Sequence, residues 1–492
     1  MDQLAHATDK IANHREIGLT DRPGARSHRE DASLLNSRDS GDERTQGFER
    51  RGDKEKLRNR RGPNDDTLVA YCEVTPLALD EDDSVRRSEP PTELVGGDEA
   101  PDATTEDEDR PGRHQKVIIL SAQIVQAVFQ PSLLQLMVGR RRRDQIERPL
   151  RELLDPGVEL VEAEVRSIDP TARRVETTVG VFAGDALVVA LGAEPDRDAV
   201  PGYREAALDF FSPEGAAACA RALEGFRGGR VVVTVAALPY KCPAAPYEAA
   251  LLLDDELRRR GLRERSEIEV YSPEPAPMPV AGPVMGAAVV GLLEAKGIRF
   301  HPGSRVERFE PGSHEVVLTD GSRVGYDLLA GVPPHRAPAV VRGSSLAGDT
   351  GSIPVDRATL ETHHERVYAV GDTTTITLAN GKPLPRAGIF AHRQGLVVAH
   401  RIAATFAGQP AQDEFGGGGY CWVETGGGRA AFAVGEFFAE PDPTLSLRAP
   451  GRSWHAGKVL FERSWIGGRI ERRLARACLA LGSRLVGVKA TI

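Results

Sequence analysis

A cysteine in a proline-bounded loop, "YKCPAAPYE", follows the apolar run "VVVTVAA" and precedes a helix-like segment. The run reads as a parallel strand, so Cys242 falls at a strand's carboxyl end, where open α/β sheets bind ligands. A lone cysteine is most often a small buried hydrophobe. A loop ahead of a helix start is instead a place where a thiolate would be stabilised, which marks Cys242 as a candidate redox thiol. Glu248, in the same segment, has two readings: a general base, or a first-turn carboxylate meeting helix amides. A third candidate is Asp372 in "RVYAVGDTTT", where a short apolar strand over 367–370 ends at Gly371 and Asp372 and a helix begins near Ala387 and Gly388. Taken alone, that is a strand ending in an Asp-containing turn.

The other cysteines carry less. Cys219 lies in the helical "GAAACARAL", Cys421 in "GYCWVET" as a buried strand position, Cys478 in a C-terminal helix and Cys72 in a charged N-terminal region. With no CxxC pair, the five cysteines make no disulfide framework and fit a reducing, cytoplasmic setting. His363 and His364 lack ligand partners at metal spacing, so no metal is expected. The cluster "GRRRRD" reads as a solvated face.

These residues need a scaffold, and from Lys116 onward strand and helix patterns alternate. "KVIIL", "LVEAEVRSIDPTARRVETT", "DALVVALGAE" and "EIEVYSPEP" read as strands. "PEGAAACARALEGF", "YEAALLLDDELRRRGL" and "GPVMGAAVVGLLEAKGI" read as helices, the last ahead of the strand "RFHPGSRVERFEP". This order predicts an α/β fold with doubly wound parallel sheets. A glycine-rich hinge, "FGGGGYCWVETGGG", introduces a strand-rich C-terminal piece ending in a helix. There Ile470, Leu474, Ala477, Leu481 and Leu485 share helical spacing in a basic segment, which suits either a membrane interface or docking on the protein's own core.

The chain has 492 residues, 40% hydrophobic and 27% charged, with a net charge of −9. That balance suits a globular protein and argues against a broad nucleic-acid surface. No apolar stretch is long enough to span a membrane, and the start has no secretory pattern. Residues 1–114 hold only two aromatics, Phe48 and Tyr71, amid dense charge and helix breakers, and are expected to be disordered.

The stretch "RVYAVGDTTTITLANGKPLPRAGIFAHRQGLVVAHRI" resembles the second flavin-binding motif of the FAD/NAD-linked disulfide-reductase superfamily. "VFQPSLLQLMVGRRRRDQIERPLRELL", "KCPAAPYEAALLLDDELRRRG" and "SWHAGKVLFERSW" narrow the resemblance to sulfide:quinone oxidoreductases and flavocytochrome c sulfide dehydrogenases. The resemblance implies two Rossmann-like domains: an FAD-binding one over 116–212 and 344–412, and an NAD-like one over 213–343. A C-terminal domain with an amphipathic helix would fill 413–492. It implies FAD against Pro131, Ser132, Gly192, Gly371, Asp372, Ala387 and Gly388, with Asp372 on the ribitol. It also implies Cys242 as one of a redox pair taking up sulfide sulfur, and Lys458 with His455 near a quinone, where a cation stabilises quinol anion. The expected partners are a small donor and a quinone, with peripheral membrane contact on the inner face and a homo-oligomer as further possibilities. A type II NADH:quinone oxidoreductase-like enzyme and a flavin-free remnant are the alternatives.

Two departures stand against that pattern. The partner cysteine belongs just after "VGD", where Thr373, Thr374 and Thr375 stand. No GxGxxG occurs anywhere, and "KVIIL", read as the opening strand, runs into Ser121, Ala122 and Gln123. The first Rossmann unit is therefore expected to be incomplete, lacking a helix and its following strand, and the FAD pyrophosphate would lose its cradle. Either the gene is damaged and residues 1–114 are not the native start, or the protein binds cofactor differently or not at all.

Overall fold

The computed structural model describes residues 67–72, 116–121, 126–155 and 157–485. Residues 1–66 and 73–115, most of the segment expected to be disordered, lie outside the described residues. All described elements belong to one compact unit, Arg61–Ile492.

The chain first lays down strands β1 (Thr67–Cys72), β2 (Lys116–Ser121), β3 (Val158–Glu162) and β4 (Ala186–Ala190). Helix α1 (Pro213–Gly225) leads to β5 (Gly229–Val235), α2 (Ala245–Arg259), β6 (Ser266–Tyr271), α3 (Pro283–Glu294), β7 (Ile298–His301) and β8 (Leu328–Val332). The chain then returns with β9 (Val367–Ala369) and α4 (Gly388–Phe406). It ends with β10 (Gly418–Gly426), β11 (Arg429–Glu436), β12 (Thr444–Gly451), α5 (Arg452–Ile466) and α6 (Arg469–Leu485).

Two parallel five-stranded sheets result. The first runs β9–β4–β1–β2–β3, and the second runs from the edge pair Leu208–Asp209 through β8, β5, β6 and β7. In each half a small antiparallel meander precedes the last-added central strand: Val165–Asp169 to Gly180–Ala183 before β4, and Val306–Glu310 to Arg323–Gly325 before β8. The inner strands "ALVVA" and "RVVVTV" are almost continuously buried, as parallel strands covered on both faces must be.

Strand β1 departs from the sequence reading. Thr67–Cys72 lies inside the segment expected to be disordered, yet it pairs in parallel with β2 on one side and β4 on the other. "KVIIL" is therefore the neighbour of the innermost strand and not the strand that opens the unit. A six-residue run in charged surroundings has too little period to announce itself, but two flanking ladders satisfy its backbone groups.

The C-terminal sheet, β10–β11–β12, is antiparallel. Its residues Val423 and Ala431 join the core formed with Leu251 and Leu252 of α2. This packing carries the C-terminal piece over the loop that holds Cys242.

Candidate functional site

Strand β9 ends at a turn that glycine makes possible: Gly371 has φ +74°, and its N–H donates to Gln394 Oε1 of α4 at 2.7 Å. The turn sets Asp372 beside residues 384–387 at the start of α4. Ala387 occupies the N-cap and no side chain caps the helix, so the first amides of this 19-residue helix have no side-chain acceptor. Arg386, just ahead, donates to the His335 carbonyl at 3.0 Å and Ser352 Oγ at 3.1 Å. Burial lowers its pKa, and Asp372 opposes that shift.

The loop after β5 reaches the same place. Cys242 adopts φ +57°, unusual for a residue with a Cβ, and its N–H donates to the Arg386 carbonyl at 2.9 Å. Lys241 reaches the Ala193 carbonyl at 3.5 Å, beside Gly192, whose φ of +66° turns the chain after β4. Asp372, Gly371, Ala387, Gly388, Gly192 and Cys242 thus gather where the loops of the two sheets meet.

Between the Cys242 loop, residues 383–390 and β10 lies a cavity of about 460 Å³, walled largely by carbon. Cys421 lines it together with Cys242. Along β10, side chains alternate: Tyr420 and Trp422 pack with Phe432 and Phe461, while Gly419, Cys421 and Val423 take the other parity. At Gly419 a Cβ would stand 2.5 Å from the Phe390 ring, so glycine permits the close approach of β10 to α4. The reading of Cys421 as a buried strand position is corrected: its sulfur opens onto the cavity. A second thiol does accompany Cys242, but it comes from this strand and not from the turn after "VGD".

The thiols are held protonated. Burial pushes Cys421 up to about 11, with Glu248 adding to the shift and Lys458 opposing it. Burial acts more strongly on Cys242, and the Cys421 and Glu248 charges add to it. Desolvation works against the expected stabilisation of a Cys242 thiolate by the downstream helix.

Glu248 sits in the first turn of α2 but does not cap it. Its carboxylate accepts from Lys458 Nζ at 2.5 Å and from the Glu424 N–H of β10 at 3.0 Å. Glu424 shares a hydrogen bond of 2.9 Å with His455 Nδ1 and lies 3.9 Å from Lys458 Nζ. Burial pushes the Glu248 carboxyl up, and Glu424 adds to that against Lys458. Burial disfavours the Lys458 ammonium, yet the Glu248 and Glu424 carboxylates hold its pKa above the usual value. The two shifts differ in origin: desolvation favours the neutral Glu248 carboxyl, whereas the two neighbouring carboxylates favour the charged Lys458 against desolvation.

Pro131 and Ser132 do not join this cluster. Ser132 is buried, and its hydroxyl donates to the Glu462 carboxylate of α5, which also accepts from Arg141 Nε at 3.1 Å. The sequence reading singled out Cys242, Glu248, Lys458, His455 and Asp372 but missed Cys421, Glu424 and Arg386. For the first two, the available signal was the alternation Gly419, Cys421, Val423 on a strand leading into Glu424. Among the described residues no group of His, Cys, Asp or Glu could hold a metal ion.

The ring end of a flavin fits these residues: Asp372 as an acceptor, uncapped amides at Gly388 and Ile389, and an apolar slot beside them. Residues 73–115 and 122–125 lie outside the described residues.

Residues 108–395 match the family model for pyridine nucleotide-disulphide oxidoreductases. The chain is 26% identical over 361 residues to the sulfide-quinone reductase of Aquifex aeolicus, covering 69% of this chain and 81% of that one. It is 25% identical over 275 residues to a type II NADH:quinone oxidoreductase of Staphylococcus haemolyticus, covering 52% and 67%. The crystal structure of the Aquifex aeolicus sulfide:quinone oxidoreductase superposes with a TM-score of 0.65 at 20% identity, covering 77% of this chain and 90% of that one, a likeness of fold.

Proposed function

The chain belongs to the pyridine nucleotide-disulphide oxidoreductase family, and from that premise we propose that it oxidises sulfide through Cys242 and Cys421 and passes the electrons through FAD to a quinone. The observation that carries this reading is two thiols lining one apolar cavity that reaches the uncapped start of α4 beside Asp372. When bound, FAD supplies a two-electron acceptor at that helix start.

The chain's own residues do the rest. Cys242 and Cys421 present two sulfurs to one largely apolar cavity for capturing sulfide sulfur. Asp372 and the Gly388 amide orient the ring, since helix N-terminal N–H groups favour the negative charge that gathers at a reduced pyrimidine edge. Glu248 takes or returns the thiol proton. Met278, Val280, Phe437 and Leu445 offer an apolar surface suited to a quinone. On α6, Ile470, Leu474 and Leu481 are exposed, a pattern that suits seating in a membrane interface. Among the described residues no helix is long and apolar enough to cross a membrane.

The NADH reading meets an obstacle. Glu274, just past the end of β6 where a dinucleotide's ribose would be met, accepts from Tyr240 at 2.7 Å and Tyr247 at 3.2 Å. Two buried tyrosines thus occupy the acid.

The test is quinone reduction by the purified flavin-containing protein with sulfide or NADH as donor. Sulfide is expected to support turnover, Cys242→Ser and Cys421→Ser each to lower it at least a hundredfold, and NADH to fail. Unchanged sulfide-driven turnover in Cys242→Ser overturns the thiol mechanism. Protein purified without flavin's visible absorbance points to a remnant.

A further inference from the structure

Behind the thiol cavity, two glutamates, a lysine and a histidine from three elements form a chain toward the surface. Glu248 of α2, Glu424 of β10 and Lys458 of α5 have side chains 4%, 3% and 8% exposed, and His455 of α5 ends the chain at 33%. The links are 2.5 Å from Lys458 Nζ to Glu248, 3.9 Å from Lys458 Nζ to Glu424, and 2.9 Å from His455 Nδ1 to Glu424. Glu248 stands in the first turn of α2, the helix into which the Cys242 loop runs, and accepts from the Glu424 N–H of β10, the strand that carries Cys421. Burying two carboxylates with one ammonium is costly, and structural purposes are met as well by apolar groups of similar volume. Sulfur chemistry in an apolar cavity, by contrast, must exchange protons with water.

Resting on the sulfide-oxidising function proposed above, we infer that Glu248, Lys458, Glu424 and His455 form the path by which protons pass between the Cys242–Cys421 thiols and solvent, with Glu424 and His455 acting through their neighbours. Oxidation of the pair breaks two S–H bonds and forms one S–S bond. Two electrons and one proton go to FAD, and the second proton must leave. Glu248 accepts it; Lys458 first gives one of its own protons to Glu424 and then, as the amine, takes the proton from Glu248. Glu424 passes its proton to Nδ1 of a His455 ring that carries its hydrogen on Nε2, and Nε2 releases one to water. The 3.9 Å step is too long for a hydrogen bond, so Lys458 must swing between the carboxylates, which makes it the gated link. Re-protonation of a thiolate after sulfide opens the disulfide runs the same path inward.

The test follows flavin bleaching by sulfide and the accompanying proton exchange with a pH-indicator dye, in weakly buffered stopped flow. His455→Asn and Glu424→Gln are expected to slow proton exchange at least tenfold. Added imidazole should restore it in His455→Asn, and Glu424→Asp should recover part of it. In FAD-free protein, iodoacetamide labelling of the two cysteines should stay within twofold of wild type in His455→Asn, because the thiols' own equilibria are untouched. Wild-type proton exchange in both variants overturns the path, as does slowed exchange that imidazole leaves unchanged. If sulfide fails to bleach the wild-type flavin, the proposed donor falls instead. Dithiothreitol then supplies electrons to the same thiol pair, and the same variants decide the path.

Discussion

Cys242 and Cys421 keep their protons because carbon surrounds them and the nearby Glu248 charge is negative. Alkylation of Cys421 should therefore be slow at pH 8 and climb toward pH 11, where its thiol titrates. A profile that levels off below pH 9 contradicts the placement of the thiol in an apolar cavity. The same shift bears on stability. The folded state binds this proton more tightly than the unfolded chain, whose thiol has an ordinary value near 9.0. The contribution is thus fully present below about pH 9 and fades as pH rises through about 11. The ammonium between two carboxylates is a harsher constraint. Lys458→Met leaves Glu248 and Glu424 buried without a counter-charge, which should cost about 3–5 kcal/mol of stability. Chemical denaturation measures it, and a joint Glu248→Gln/Lys458→Met variant should lose less than the two single variants summed.

At the scale of elements, α6 is distinguished by what it leaves uncovered. Ile470, Leu474 and Leu481 are 78%, 63% and 61% exposed, on a helix rich in arginine. Leu474→Asp should reduce co-sedimentation with anionic vesicles at least fivefold while leaving the melting temperature nearly in place, because most of the residue's surface is already exposed in the folded protein. Undiminished vesicle binding argues for docking elsewhere. This helix was legible in the sequence because its signal is periodic and local, as were the parallel strands "VVVTVAA" and "DALVVALGAE" with their continuous apolar runs. The Gly371–Asp372 turn was legible through a family resemblance and not through period. Cys421 was not: its side depends on the register of β10 against β11, and register is a property of two strands. Glu424 escaped for the same reason, being one residue of a three-element meeting.

For the whole molecule, the least legible element is the most central. β1 has neighbours on both sides, with Ala70 opposite Ile119 of β2 and Val188 of β4. Without it, β2 and β3 would be severed from β4 and β9, and two inner strands would expose unpaired backbone edges. The Asp372 turn follows β9 and the Gly192 turn follows β4, so the loops proposed to face the flavin are positioned only as well as the sheet is held together. A stretch too short to read as structure thereby governs residues far along the chain. Ala70→Pro tests this directly: it removes a ladder N–H and inserts a ring where both flanks are occupied, at a cost of about 3 kcal/mol or more. The variant should melt at least several degrees lower and lose visible flavin absorbance together with sulfide oxidation. A melting curve and flavin content equal to wild type would place some other segment between β2 and β4.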